Sequence, residues 1–180
     1  MNELQPAYLR FGGTRADLMF FNATLPGEAK ENIICKNALH GKLPSKRKWK
    51  MLWRDAPFDP VIMQPKDLDR LYQGIRCANL KLILGLNLNN RYTDGLWNNT
   101  NVVDMLKYIK DRKYKIDYEL GNEPNSYKHK FNASMDPATQ IQDTTRLAAL
   151  LQRIGCYTIP FVNNKIFYNF FRLKVQNIWP

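Results

Sequence analysis

Asn122 and Glu123 stand on a short turn that Pro124 closes, and their side chains are the best suited in the chain to acid–base chemistry. The run Tyr114–Leu120 before them has the composition of a buried strand, so the carboxyl group is predicted just beyond that strand's C-terminal end. Barrels built from βα units carry their catalytic groups at this end of the strands. A carboxyl group beside an amide on a stiff turn suits a general acid. The plainer alternative is a strand end followed by an ordinary X-Pro turn.

One reaction that such an acid could serve, the hydrolysis of a glycosidic bond, needs a second carboxyl group, about 5–5.5 Å from the first for retention or about 6.5–9.5 Å for inversion. Glu119 lies four residues before Glu123, and an extended strand would separate the two by about 13 Å. The only acids after Glu123 are Asp136 and Asp143, which belong to the last predicted helix. The 180 residues are therefore expected to carry half of a catalytic pair and to be inactive alone.

Strands and helices alternate along the chain, which predicts a parallel sheet. The predicted order is a strand at 7–11, a helix from 67, a strand at 80–87, a helix from about 100, a strand at 114–120 and a helix from 136. Gly13, Asn87 and Glu123 each follow a strand, so they are expected on one rim. A whole barrel needs about 250 residues. The predicted fold class is therefore α/β, an incomplete (β/α)₈ TIM barrel of about three βα units, with an inserted linker at about 22–65 that is too long for an ordinary loop.

The formal net charge of +11 indicates a polyanionic partner. Part of that charge is concentrated between residues 42 and 54, and the candidate glycan-binding run consists of Lys46, Arg47, Lys48 and Lys50. Three interpretations stay open: a solvated loop, a site for sulfated glycans, and a site for nucleic acid. No known nucleic-acid motif accompanies the run, so no nucleic-acid partner is predicted.

Three sequons, at Asn22, Asn98 and Asn132, favour a secretory route with glycosylation. No apolar run approaches the roughly 20 residues of a membrane span, and the first residues do not resemble a signal peptide, so a secreted form would need a leader upstream. The three cysteines show neither CxxC nor a metal-ligand spacing, so no metal and no cofactor is predicted. One disulfide and one odd cysteine are expected in that compartment.

Four motifs, in order, give the chain a resemblance to a known family. They are Pro6–Thr14, Leu82–Asn87, Trp97–Thr100 and Tyr118–Ser126. Residues 6 to about 152 resemble the heparanases, retaining endo-β-glucuronidases that cut heparan sulfate. The resemblance implies a glycosidase that acts on heparan sulfate or another sulfated glycosaminoglycan. It implies secretion to lysosomes or the extracellular matrix, with peripheral association at the cell surface.

The resemblance also implies roles for individual residues. Glu123 matches the general acid/base, and Asn122 matches the asparagine that hydrogen-bonds the sugar 2-hydroxyl. Gly13 and Thr14 match a loop that lines the substrate cleft. Asn98 matches a glycosylation position of the family. Cys35 and Cys77 match two linked cysteines, and the stretch at about 22–65 matches a linker that is excised on maturation.

Three departures from the family leave the function open. The family's first barrel strand has no counterpart in the sequence, and its basic segment before the Cys77 helix is replaced by Asp55–Pro60. From about Ile154 the chain departs from the family, so the predicted domains are a partial barrel at 1–153 and a divergent tail at 154–180. One alternative is a non-catalytic relative that binds heparan sulfate. Another is a truncated product that does not fold stably alone.

Overall fold

The computed structural model describes residues 7–27 and 60–156. Within these residues it has five strands and four α-helices, with short 3₁₀ turns at Thr14–Leu18 and Pro124–Ser126. The strands are β1 (Tyr8–Phe11), β2 (Met19–Phe21), β3 (Val61–Met63), β4 (Lys81–Leu86) and β5 (Ile116–Leu120). The helices are α1 (Pro65–Cys77), α2 (Thr100–Asp111), α3 (Tyr127–Phe131) and α4 (Pro137–Ile154).

The main sheet is parallel, in the order β1-β4-β5. Arg10 pairs with Ile83, and Ile83 pairs with Asp117, so the three strands end at one edge. This confirms the parallel α/β arrangement predicted from the alternation. The sequence did not predict a second, two-stranded parallel sheet of β2 and β3. Its strand β3 uses the last residues of the stretch interpreted as linker.

The two faces of the main sheet differ in chemistry because alternate residues of a strand point to opposite sides. Leu82, Leu84 and Tyr118 are almost fully buried and belong to the core that the helices cover. The other face carries Arg10 and Glu119. One face therefore makes the core, while the opposite face presents charged groups.

Caps fix where the helices begin. Asp136 accepts a hydrogen bond from the Thr139 amide at 3.0 Å, and Pro137 takes the first helical position of α4. The sequence predicted this helix from 136, and an Asp cap followed by Pro is a common helix start. Helix α1 begins slightly earlier than predicted, at Pro65, because Gln64 is its N-cap and Asp67 accepts from the Gln64 amide at 3.1 Å. Asp67, where the sequence predicted the helix to begin, is thus the distal member of a capping box.

A fully buried carboxylate, Asp69, ties α1 to α2 and to the start of β5. Tyr114 donates its hydroxyl to Asp69 at 2.7 Å, Tyr108 donates at 2.9 Å, and Arg112 forms an ion pair with it at 3.0 Å. Burial and the neighbouring carboxylate raise the pKa of the Tyr114 hydroxyl. These partners compensate the buried charge, so the cluster fixes how the helices pack on the sheet.

Several sequence predictions lie outside the described residues: the basic run Lys46, Arg47, Lys48 and Lys50, the cysteine Cys35, and most of the tail. Cys77 is disulfide-bonded and Cys156 is a free thiol. Within 7–27 and 60–156, no helix combines the length and apolarity needed to cross a bilayer. In the same ranges, no group of three or more His, Cys, Asp or Glu side chains could hold a metal ion.

Candidate active site

The loops after β1 and β5 meet at the C-terminal edge of the sheet. Gly85, on the middle strand, lets them approach: a Cβ there would lie 3.1 Å from the Gly12 Cα and 3.0 Å from the Ala16 Cβ. Gly12 therefore lies beside the middle strand, which pairs with the strand that leads to the Asn122–Glu123 turn. Asn87 follows β4 but is buried in a structural role, because its side chain donates to the Met19 carbonyl at 3.2 Å and accepts from the Asn90 amide at 3.0 Å.

The turn that carries Glu123 has an unusual backbone. Gly121 has φ 75° and Glu123 has φ 52°, which for a residue other than glycine is uncommon. The Ser126 amide donates to the Glu123 carbonyl at 2.8 Å, and the 3₁₀ turn at Pro124–Ser126 follows directly. Such local strain persists only where the surroundings hold it, and it occurs often at functional sites.

Asp17 holds the two loops together from below. It is fully buried, accepts from the Asn122 amide at 3.1 Å through both carboxylate oxygens, and receives the hydroxyl of the buried Tyr127. Burial raises the pKa of Asp17 to about 6, although these hydrogen bonds oppose the rise. Asp17 belongs to the 3₁₀ turn that begins after Gly13. The loop at Gly13–Thr14 therefore leads directly to the residue that positions Asn122.

Arg10 fixes the side chain of Asn122. Its Nη2 donates to the Asn122 Oδ1 at 2.8 Å, while its Nε donates to the Glu119 Oε2 at 2.5 Å. Among the described residues no acceptor binds the Asn122 Nδ2, so this amide can donate to a ligand. Glu119 is buried in the ion pair with Arg10, so its charge is compensated there.

Glu123 projects from this supported turn into solvent, with its side chain 60% exposed. The Lys130 ammonium of α3 forms an ion pair with it at 2.6 Å. This hydrogen bond and the positive charge hold the pKa of Glu123 below its usual value. A general acid needs the opposite shift. The contact with Lys130 therefore favours the carboxylate form of Glu123, which can accept a proton.

The three predicted sequons lie outside this site. Asn132 is exposed at the end of α3, while Asn22 and Asn98 are half-buried. The side chains of these two are engaged locally: Asn22 accepts from the Thr24 hydroxyl at 2.7 Å, and Asn98 accepts from the Thr100 amide at 3.2 Å.

The sequence did not single out four residues that the structure places in the site: Arg10, Asp17, Tyr127 and Lys130. One signal was available for Arg10, a charged residue inside an apolar strand. Asp17 and Tyr127 gave no periodic signal, because they lie on short 3₁₀ and helical turns.

A carboxyl group at the carboxyl end of a parallel strand has the position of catalytic groups in βα-barrel enzymes, and glycoside hydrolases use carboxyl groups as acid and base. The chain belongs to glycosyl hydrolase family 79: the model of the family's N-terminal domain matches residues 62–164. The match extends past Ile154, and residues 157–164 of it lie outside the described part of the chain.

Curated relatives agree with this assignment and show the chain to be heparanase-like. Rat heparanase is 33% identical over 173 residues, covering 83% of this chain and 32% of that protein. Bovine heparanase is 34% identical over 152 residues, covering 71% and 27%. Human inactive heparanase-2 is 30% identical over 190 residues, covering 86% and 32%. The chain spans about a third of the length of these relatives.

Proposed function

We propose that this chain supplies the acid/base side of a heparanase-type active site that acts on heparan sulfate. Glu123 is the general acid/base, Asn122 binds the sugar 2-hydroxyl, and Gly13 and Thr14 line the cleft. The observation that carries the proposal is the Asn122–Glu123 turn at the C-terminal end of β5, which Asp17 and Arg10 hold from below while the Glu123 carboxylate stays open to solvent.

Each protonation state of Glu123 carries out one step of the reaction. The protonated acid gives its proton to the leaving glycosidic oxygen, and the carboxylate then takes a proton from the incoming water. The nucleophile of a retaining mechanism has to come from residues beyond those described, on the remaining strands of a (β/α)₈ barrel. The charged sheet face with Arg10 and Glu119 would line the lumen of that barrel.

Lys130 must leave Glu123 before the acid step. The anionic groups of a sulfated substrate attract this ammonium, and the bound sugar removes water from the carboxyl group. Both changes raise the pKa of Glu123 towards that of a working acid. The ion pair is thus an open-state contact that substrate binding breaks.

The remaining sequence predictions enter the proposal unchanged. They are a Cys35–Cys77 disulfide, glycans on Asn22, Asn98 and Asn132, and removal of the linker at about 22–65. The protein would act in lysosomes or the extracellular matrix, with peripheral attachment to the cell surface through sulfated glycans. The run Lys46, Arg47, Lys48 and Lys50 would be a glycan-binding segment that maturation removes.

A chimera tests the catalytic assignment. Residues 7–156 replace the aligned stretch of rat heparanase, so that the remaining strands are supplied. We expect heparan sulfate cleavage by this chimera and a loss of roughly 10²–10⁴-fold with Glu123→Gln, while Lys128→Gln on α3 leaves the rate unchanged. A secreted chimera that binds heparin but cleaves no better than its Glu123→Gln variant would contradict the proposal.

A second candidate is binding of heparan sulfate without cleavage. Two observations favour it: Lys130 keeps Glu123 ionised, and inactive heparanase-2 is nearly as similar to this chain as the heparanases are. Under this interpretation the chimera stays inactive, and the 180-residue chain is retained by heparin at salt concentrations that elute a neutral control protein. Elution together with that control would exclude it.

A further inference from the structure

A second concave site lies at the opposite end of the sheet, where β4 and β5 begin and α1, α2 and α4 end. We call it the basal cleft. Its volume is about 780 Å³, within the range of ligand sites. Its charged lining residues are Arg76, Lys81, Lys110, Lys113, Lys115 and Asp117.

The basal cleft carries an excess of positive charge. Its five cations are all exposed, against one half-buried acid. Lys81 lies over the Tyr8 ring at 5.4 Å, whereas the part of the chain that the structure describes shows no ion pair for Arg76, Lys110, Lys113 or Lys115. These four cations repel one another, so an anion that enters the cleft would be attracted.

Helix geometry accounts for only part of this charge. Arg76 and Lys110 lie in the last turns of α1 and α2, where a cation interacts favourably with the helix dipole by about 0.3–1 kcal/mol. Lys115 and Lys81 stand at strand starts, outside such an effect.

An aromatic wall accompanies the charge. Tyr72 and Tyr114 line the basal cleft and stack on each other with ring centroids 3.9 Å apart. The Tyr114 hydroxyl is bound to Asp69 and the Tyr72 hydroxyl accepts from the Lys115 amide at 3.0 Å, so both rings are fixed. Tyr72 is buried, whereas Tyr114 is half-buried. The ring of Tyr114 beside long cationic side chains suits an anionic sugar chain, whose pyranose rings have apolar faces.

We propose that the basal cleft binds a sulfated segment of a glycosaminoglycan chain, as a second site separate from Glu123. The five residues of β5 alone separate the two sites by about 16 Å. The choice of a sulfated glycan as the ligand rests on the proposed function, whereas the cleft and its charge do not. The site would hold the polysaccharide away from the chemistry and raise its local concentration at the rim.

The first experiment compares two double variants with the same change in net charge. Lys110→Glu with Lys113→Glu alters the basal cleft, and Lys66→Glu with Lys107→Glu alters exposed positions on α1 and α2 outside it. The basic run 42–54 is present in both full-length chains, so the difference between them isolates the cleft. We expect the cleft variant to bind a heparin oligosaccharide roughly tenfold more weakly than the control variant. Equal affinities would overturn the proposal.

The second experiment locates the contact on the unaltered chain. Lysines are acetylated with and without the heparin oligosaccharide and are quantified by mass spectrometry. We expect protection of Lys110, Lys113 and Lys115, with Lys66 and Lys107 unchanged. No protection in the cleft, or equal protection by an oligonucleotide of the same charge, would refute the assignment to a sulfated glycan. Neither readout depends on Glu123, so failure here is distinguishable from failure of the catalytic proposal.

Discussion

At the scale of single residues, the contact between Lys130 and Glu123 decides the protonation state of the candidate acid. The 2.6 Å ion pair favours the carboxylate, so Lys130→Met should raise the pKa of Glu123 towards or above its ordinary value. A carboxyl group whose pKa is lower in the folded than in the unfolded protein stabilises the fold at pH values above its unfolded pKa, and this stabilisation is lost on acidification. The variant lacks it, so its unfolding free energy should fall less steeply than that of the wild type below about pH 5. Carbon-13 NMR titration of the glutamate carboxyl groups measures the shift.

Lys128→Met is the matched control for that titration. Lys128 lies on the same short helix and is exposed, but it makes no ion pair with Glu123 among the described residues. A pKa of Glu123 that moves equally in both variants would show that general charge, and not the Lys130 contact, sets it.

Asp17 should make stability depend on pH in the opposite sense. Its folded pKa of about 6 lies above the ordinary value of 3.8, so its neutral form is favoured by folding. That stabilisation is full below pH 3.8 and is lost as the pH rises through about 6. Between about pH 7.5 and 5, the unfolding free energy of the wild type should gain about 1 kcal/mol relative to Asp17→Asn. Urea titrations at several pH values give this slope, and parallel curves for the two proteins would contradict the assignment.

At the scale of elements, Gly121 sets the direction in which the chain leaves β5. Its φ of 75° and its neighbours exclude a side chain, because a Cβ would lie 2.6 Å from the Leu88 Cδ2 and 2.9 Å from the Tyr127 hydroxyl. Gly121→Ala should therefore cost about 1–3 kcal/mol of unfolding free energy. The distortion reaches Asn122, so its hydrogen bond with Arg10 should weaken as well.

Gly74 provides the opposite case within the same fold. It lies inside α1, where an added Cβ would meet no atom within 4 Å, so Gly74→Ala should stabilise the protein by about 0.5–1 kcal/mol. Thermal unfolding of both variants tests the pair. A Gly121→Ala protein as stable as Gly74→Ala would show that the turn after β5 is not constrained as described.

The main sheet and the cap of α4 were predictable because their signals are local. Apolar runs of strand length mark β4 and β5, and Asp136-Pro137 marks a helix start. Strands β2 and β3 have three residues each, too short for periodicity, and their pairing joins segments about 40 residues apart. The candidate site divides in the same way: the Asn122–Glu123 turn is local, whereas Asp17 and Lys130 act through contacts that only the tertiary structure creates.

At the scale of the whole molecule, the described sheet ends in β1 on one side and β5 on the other. Three apolar or aromatic residues of β1 stay exposed, with Tyr8 at 45%, Leu9 at 40% and Phe11 at 39%. Such an edge is suited to further strands and helices, as in a closed barrel. The curated relatives are about three times as long as this chain, so they have further residues that can form such elements.

Under the proposed function, Glu123 is one member of a catalytic pair, and the second carboxylate belongs to the remaining strands. The two proposed contacts with the polysaccharide, the rim around Glu123 and the basal cleft, lie at opposite ends of the same parallel strands. The rim would carry out the chemistry, and the charge of the basal cleft would retain the polysaccharide.

Chemical rescue tests whether Glu123 is the general acid/base. In the chimera with rat heparanase, Glu123→Ala should no longer cleave heparan sulfate but should still react with a glucuronide whose leaving group needs no proton. Azide should then replace the missing base catalysis and give a β-glycosyl azide with retained configuration. Formation of this product at a rate that rises with azide concentration is the predicted result. Undiminished heparan sulfate cleavage by the Glu123→Ala chimera would contradict it.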